Sequence, residues 1–311
     1  MAPFGQWLIG VGLSLGLLAC QQEPHTPQDD LLPPLPAQPP TTVLDTAAQK
    51  VFEEFRLFLG SLPCDRPEQM TIVVQEYQTV VADLPVMFRD AAFVDIWYFY
   101  FDVLEQINLQ RANDPATESN YTLLERFEKE RVLLDDSLQR HGFRLLLVEG
   151  LWVVGEDPDF LPQHFYARLS RPFQFFLDQH QREVREGFIA DATLLISPKQ
   201  LGEWAVFWEV FTGQYEQFPL QSDIAARMRR YRFVLLEGTD NSPAFDYESG
   251  QLTLEFEQAY RYLVGKYPQT RLGRLLNRYQ EELRRNDWRK TPEIEQFIES
   301  QRHTSSELPH T

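Results

Sequence analysis

The amino-acid sequence predicts a mainly α-helical body built from helical hairpins, with at most a small β-hairpin near 143–154. Apolar residues recur at helical spacing along most of the chain after Thr46. Most segment boundaries carry helix-capping residues. Runs typical of strands are confined to two short stretches. With 311 residues, 13% of them aromatic, the chain is long enough to bury a sizeable core.

Four helices are predicted in the N-terminal half of the body. Their expected bounds are 46–60, 67–82, 85–113 and 118–140. The third carries apolar or aromatic residues on almost every face between Phe93 and Leu104, so we expect it at the centre of the core. The fourth is amphipathic and highly charged, and Gly142 is expected to end it.

The middle of the chain contains the two extended candidates. The stretch 143–154 has β-branched and aromatic residues around Glu149-Gly150, and 192–196 is a shorter run. Helices are expected again after this point, and Ser197 with Gln200 forms a capping-box pattern. The predicted C-terminal segments are helices at 198–215, 222–237, 251–266 and 271–285, a short helix from Pro292, and a disordered tail at 304–311.

Two C-terminal hairpins are similar in sequence. Residues 208–215 align with 260–267, which pairs Gly213 with Gly265 and Tyr215 with Tyr267. An aromatic-Pro break and a second helix with an Arg-Tyr pattern follow each of them. This arrangement resembles the helical-hairpin repeats of tetratricopeptide type, although the spacing exceeds their ~34 residues. Unrelated amphipathic helices can also align this well, so both interpretations stay open.

The N-terminus carries an apolar stretch at 7–19, shorter than the ~20 residues that a membrane-spanning helix needs. It suits the core of a signal peptide and ends in Leu17-Leu18-Ala19-Cys20. This ending resembles the lipobox of bacterial lipoprotein precursors. The resemblance implies a signal peptide at 1–19, cleavage before Cys20, and a diacylglyceryl anchor on its thiol. The alternatives are a plain secretory signal that is cut elsewhere and a short membrane-associated helix, in both of which Cys20 is an ordinary thiol.

The segment 20–45 is predicted to be a tether. Seven prolines lie between Gln21 and Asp45, interspersed with Gln, Asp and Thr, a composition that favours extended polyproline II over a packed core. An acylated cysteine followed by such a tether would hold the domain at 46–303 near a bilayer. By analogy with sorting in that class, Gln21 favours the outer membrane if the host is Gram-negative.

Charge excludes one class of partner. A net charge of -17 argues against nucleic acid, because binding to phosphates requires a basic surface. The segment 222–290 differs, with thirteen basic against ten acidic residues and a net charge of +3. The basic face of the helices in this segment could bind an acidic partner or anionic headgroups. Arg–Glu pairing along the helices explains the composition equally well.

The candidate chemical site is an acidic cluster with a histidine. Clustered carboxylates beside an imidazole can hold a divalent cation or act as an acid and base pair. An alternative is that Asp157-Pro158 begins a helix, with Asp157 as its cap. The candidate residues are Glu149, Glu156, Asp157 and His164.

Other reactive residues are assigned structural roles. His180 lies on a charged helix, and we expect it to face solvent. Cys64 is expected to be a structural thiol. The sequence contains no His-x-x-x-His pair, no cysteine pair that could form a structural zinc site, and no Gly-x-Ser-x-Gly or Gly-x-Gly-x-x-Gly motif.

These observations favour a non-catalytic envelope lipoprotein with a binding or scaffolding role. Its expected partners are the membrane, through Cys20, and other envelope proteins, and no cofactor or metal is expected. A hydrolase using the acidic cluster is the main alternative. A carrier of an apolar ligand is the third hypothesis, with a pocket lined by the aromatic residues of 93–101 and by Trp152, Trp204 and Trp208.

Overall fold

The structure is a computed structural model that describes residues 32, 45–113, 128–148 and 151–303, and it confirms the mainly α-helical class. The helices are α1 Thr46–Ser61, α2 Gln69–Glu76, α3 Val86–Ala112, α4 Glu128–Gln139, α5 Phe160–Phe165, α6 Arg171–Glu186, α7 Pro198–Gln214, α8 Gln221–Glu237, α9 Leu254–Lys266, α10 Arg271–Arg285 and α11 Pro292–His303. The antiparallel strand pairs are β1 Phe143–Val148 with β2 Leu151–Glu156, β3 Ile189–Ala190 with β4 Thr193–Leu194, and β5 Gly238–Thr239 with β6 Ser242–Pro243.

Helix α3 lies at the centre of the N-terminal half, as its apolar composition predicts. Phe93, Ile96 and Tyr100 are completely buried. The helix packs against α1 and against strand β2. The ring of Phe93 lies 5.6 Å from that of Phe165, which brings α5 onto the same core.

The β1–β2 hairpin confirms the extended prediction at 143–154, and α3 fixes its position. Asn108 donates from Nδ2 to the carbonyl of Val154 at 2.8 Å and accepts the Val154 N–H on Oδ1 at 2.9 Å. One amide side chain therefore pairs with β2 as a neighbouring strand would. Tyr100 donates its hydroxyl to the carbonyl of Gly142 at 2.5 Å, just before β1.

The two C-terminal hairpins have similar turns. The backbone N–H of Tyr215 donates to the carbonyl of Phe211, and that of Tyr267 to the carbonyl of Leu263, both at 2.8 Å. Their dihedral angles are also close, with φ -120° and ψ 62° against φ -126° and ψ 49°. Helices α7 and α9, which end at these turns, pack against each other. The shared geometry supports the alignment, while the relation to tetratricopeptide repeats stays a prediction.

Several predicted boundaries shift in the structure. Ser197 caps α7, since its Oγ accepts the Gln200 N–H at 3.2 Å, but the Gln200 side chain donates to Glu186 and does not close the capping box. The helix expected at 67–82 divides into α2 and the π-helical turn Tyr77–Val81. The extended run expected at 192–196 contributes only the two residues of β4.

Leu32 and Asp45 are the two described residues within the predicted tether, and Asp45 caps α1. Leu32 lies well inside that segment. Its side chain is only 5% exposed and belongs to the hydrophobic core. The predicted signal peptide with Cys20, the rest of the segment before Asp45, Glu149 and the tail at 304–311 lie outside the described residues.

Candidate functional site

A buried set of polar side chains, which we call the polar network, lies where the two halves of the body meet. Helix α6 supplies three of its members, and β2, α7 and α8 supply the rest. The members are Glu156, Gln179, His180, Glu183, Trp208, Arg227 and Tyr231.

His180 is the centre of one branch of the network. Its Nε2 lies 2.8 Å from Oε2 of Glu156, and Nη2 of Arg227 lies 3.1 Å from its Nδ1. A guanidinium can only donate, so Nδ1 accepts, and the hydrogen lies on Nε2, facing Glu156. Both ring nitrogens are therefore occupied within the protein.

Glu183 is the centre of the other branch. Its Oε1 accepts from Nε1 of Trp208 at 2.6 Å and from Nε2 of Gln179 at 2.8 Å. Its Oε2 accepts from Nη1 of Arg227 at 2.6 Å and from the Tyr231 hydroxyl at 2.7 Å. Four donors on one carboxylate compensate for its removal from water, since Glu183 is only 5% exposed.

Aromatic rings enclose the network. The Trp97 ring meets the His180 ring edge-on at 4.8 Å, and Phe176 stacks on it at 6.1 Å. The guanidinium of Arg227 lies 5.1 Å from the centre of the Trp208 ring. These apolar neighbours lower the local dielectric, which strengthens the hydrogen bonds inside.

The electrostatics favour an ionised Glu156. Burial raises its pKa, but the contact with His180 and the positive charges of Arg227 and Arg144 outweigh burial, so its pKa lies below the ordinary value of 4.5. Burial, together with the negative charge of Glu183, raises the pKa of Tyr231, which keeps its hydroxyl protonated as a donor. The network thus combines an ionised Glu156 with a Tyr231 hydroxyl that stays protonated.

This arrangement engages both nitrogens of His180 and both oxygens of Glu183 within the protein. A general base needs a free lone pair that faces a substrate, and both nitrogens of His180 are already engaged. Every oxygen of Glu183 accepts two hydrogen bonds. The network therefore acts as a polar connection between β2, α6, α7 and α8.

The structure separates the predicted acidic cluster. Glu156 belongs to the polar network, whereas Oδ1 of Asp157 accepts the Asp159 N–H at 3.0 Å and caps the turn before α5. That helix begins at Phe160, two residues later than a cap at Asp157 would place it. His164 is half-buried and meets the Phe160 ring at 4.7 Å, and burial lowers its pKa.

Other sequence predictions have mixed outcomes. The expectation that His180 faces solvent is wrong, because it is 5% exposed. Its spacing from Phe173, Phe176 and Leu177 on the apolar face of α6 is the signal that could have placed it inside. Cys64 is partly buried and free. Across the described ranges, no group of three His, Cys, Asp or Glu residues could hold a metal ion.

The aromatic residues proposed to line a ligand pocket pack mostly against other rings. Trp97 and Trp208 contact Phe176 at 4.9 and 5.6 Å, and both are buried. Trp204 is different, because it lines an open groove of about 430 Å³ between α6, α7 and the end of α9, together with charged side chains.

Two further open grooves lie on the C-terminal half. One of about 670 Å³ follows the turn from α9 into α10 and is lined by Arg271, Arg274 and Arg278. The other, about 740 Å³, lies between α8, the β5–β6 hairpin and α11, with Tyr247 on its wall. The loops and helices of the C-terminal half therefore present concave surfaces of ligand size.

Comparison of the chain with protein-family models, curated proteins and solved structures finds no match. Among the helices formed by the described residues, none combines the length and the apolar character needed to cross a membrane.

Proposed function

We propose that this chain is a bacterial envelope lipoprotein with a non-catalytic binding or scaffolding role. The observation that carries the proposal is the order of its N-terminal segments. A short apolar stretch ends in Leu17-Leu18-Ala19-Cys20, and a Pro-rich segment follows before the helical body begins. An acyl chain on Cys20 would hold the body at a membrane, and Gln21 favours the outer one.

Two features of the body support a binding role. Open grooves of about 430 to 740 Å³ lie between its C-terminal helices. Among the described candidates, Glu156 alone pairs with a histidine, and both ring nitrogens of that histidine, His180, are engaged within the protein. The hydrolase alternative gains no support from these contacts.

Metabolic labelling with palmitate tests the anchor. The wild-type chain should incorporate label in a bacterial host and fractionate with membranes, and Cys20→Ala should abolish both. Cys64→Ala is the matched control, because it removes the other cysteine and should leave labelling unchanged. Equal labelling of the Cys20→Ala chain would exclude the lipobox assignment.

Site-specific photocrosslinking tests the binding role. Tyr247 lies on the wall of the 740 Å³ groove and is 74% exposed, and Leu57 on α1 is 76% exposed. A photoreactive residue at Tyr247 in the anchored protein should yield a defined crosslinked species in cells, whereas one at Leu57 should not. Identical products from both positions, or none from either, would count against binding at this groove.

A further inference from the structure

We infer that the groove between α9 and α10 binds a phosphate-bearing anion through Arg271, Arg274 and Arg278, which we call the arginine triad. This inference names a ligand class for the binding role proposed above and does not depend on the acyl anchor. The groove has a volume of about 670 Å³ and contains no acidic residue in its lining.

The triad is compact because the helix aligns it. Positions 271, 274 and 278 are three and four residues apart, so they share one face of α10 and span ~10 Å along its axis. All three side chains are exposed. Like charges at this spacing destabilise a helix, so the arrangement disfavours folding unless an anion neutralises it.

Elsewhere in the described chain, five exposed helical cations are paired with a glutamate within their own helix. Each of these pairs joins a cation to a glutamate three or four residues away. The pairs are Lys50–Glu54, Arg56–Glu53, Arg261–Glu257, Arg285–Glu282 and Arg302–Glu299.

The arginine triad is not paired in this way. Among the ion pairs of the described residues, none includes Arg271, Arg274 or Arg278, and Arg274 donates to the backbone carbonyl of Gln269. One acid beside the triad, Glu209, already accepts the backbone N–H groups of Arg271 and Leu272 at the start of α10. The three guanidinium groups thus have no acidic partner among the ion pairs of the described residues, in a chain whose net charge is -17.

The compactness of the triad favours phosphate over a carboxylate-bearing peptide. A phosphate group concentrates up to two charges on three oxygens, and guanidinium groups can bind these oxygens in bidentate fashion. An acidic peptide would spread its charges along an extended chain. Val264 and Pro268 give the groove an apolar edge, which suits the organic part of a phosphate ester or a lipid headgroup.

The test measures binding of the full chain to inorganic pyrophosphate and to phosphatidylcholine vesicles with or without phosphatidylglycerol. The triad variant combines Arg271→Gln, Arg274→Gln and Arg278→Gln. The control variant combines Arg56→Gln, Arg261→Gln and Arg285→Gln, which removes the same charge from paired sites. Circular dichroism verifies that each variant is folded. If the triad variant is not folded, the single variant Arg274→Gln is used in its place.

We expect the triad variant to lose affinity by at least about tenfold, and the control to stay within about twofold of wild type. Binding should also weaken as salt rises, because exposed charges are screened. Binding to pyrophosphate would identify a free phosphate compound as the ligand source. Binding only to vesicles that contain phosphatidylglycerol would identify a lipid headgroup. Equal losses in both variants, no binding by wild type, or a preference for poly-glutamate would overturn the inference.

Discussion

Arg227 and Arg274 place the same side chain in opposite surroundings. Arg227 is only 20% exposed, bonds to Glu183 and His180, and lies beside the Trp208 ring. Arg274 is exposed on α10, flanked by two other arginines, and its recorded partner is a backbone carbonyl. The comparison separates two uses of positive charge. Within the polar network it stabilises the fold, whereas on the arginine triad it remains available to a ligand.

The largest expected effect is from Arg227→Met. Loss of the guanidinium leaves Glu183 buried beside His180 without a cation. This should lower the free energy of unfolding by about 3–5 kcal/mol. Urea unfolding followed by circular dichroism measures this. Arg229→Met, on the exposed face of the same helix, should change stability by less than about 0.5 kcal/mol. Similar losses in the two variants would show that the polar network contributes little.

A double-mutant cycle sharpens the same point. Glu183→Leu alone should destabilise the protein by leaving buried donors without an acceptor. Combined with Arg227→Met, it removes both charges, and the loss should be smaller than the sum of the single losses by about 1–3 kcal/mol. Simple additivity in urea unfolding would mean that the two residues do not interact as their 2.6 Å contact indicates.

Acid should weaken the polar network through Glu156. Because its pKa in the folded protein is lowered below the ordinary value of 4.5, its contribution to stability is present above that pH and is lost as pH falls through the folded-state pKa. Glu156→Gln should therefore flatten the decline of unfolding free energy as the pH falls below 4.5. Glu255→Gln, at an exposed position on α9, should leave the slope unchanged, and parallel curves for wild type and Glu156→Gln would refute this account.

The smallest effect concerns the arginine triad. Arg274→Glu places an acid between Arg271 and Arg278 at helical spacing, and should raise the free energy of unfolding by about 0.2–0.5 kcal/mol. Thermal unfolding at low salt measures the gain, and high salt should reduce it. Arg284→Glu is the control on the same helix, since Arg284 is not part of the triad or its groove. A loss of stability in Arg274→Glu would mean that the triad is not self-repelling.

Periodicity predicted the helices well because their apolar spacing is local information. Helix α10 has its predicted bounds, and α3 lies in the core as its composition indicates. The polar network was not predictable in this way. Its partners for His180 lie 24 and 47 residues away along the chain, and only the packing of α6 between β2 and α8 brings them together.

The sequence predicted one member of the polar network, Glu156, but not its partner, because that partner is distant along the chain. Glu156 was chosen because acids cluster near it in sequence, yet its partner is His180 and not His164. Charged neighbours made α6 look solvated, although the apolar residues of one face indicate burial. Asp157 and His164 have local partners instead, since Asp157 accepts the Asp159 N–H and His164 packs on the Phe160 ring.

The burial of Leu32 changes how far the body can stand from a bilayer. If the whole segment between Cys20 and Asp45 were free, its extended length would be ~78 Å at ~3.1 Å per residue. Since Leu32 lies in the core, only the part before it can act as a spacer, and that part spans ~37 Å. With the acyl anchor that we propose, the domain would reach partners close to its own membrane. The spacer would be too short for it to reach more distant partners.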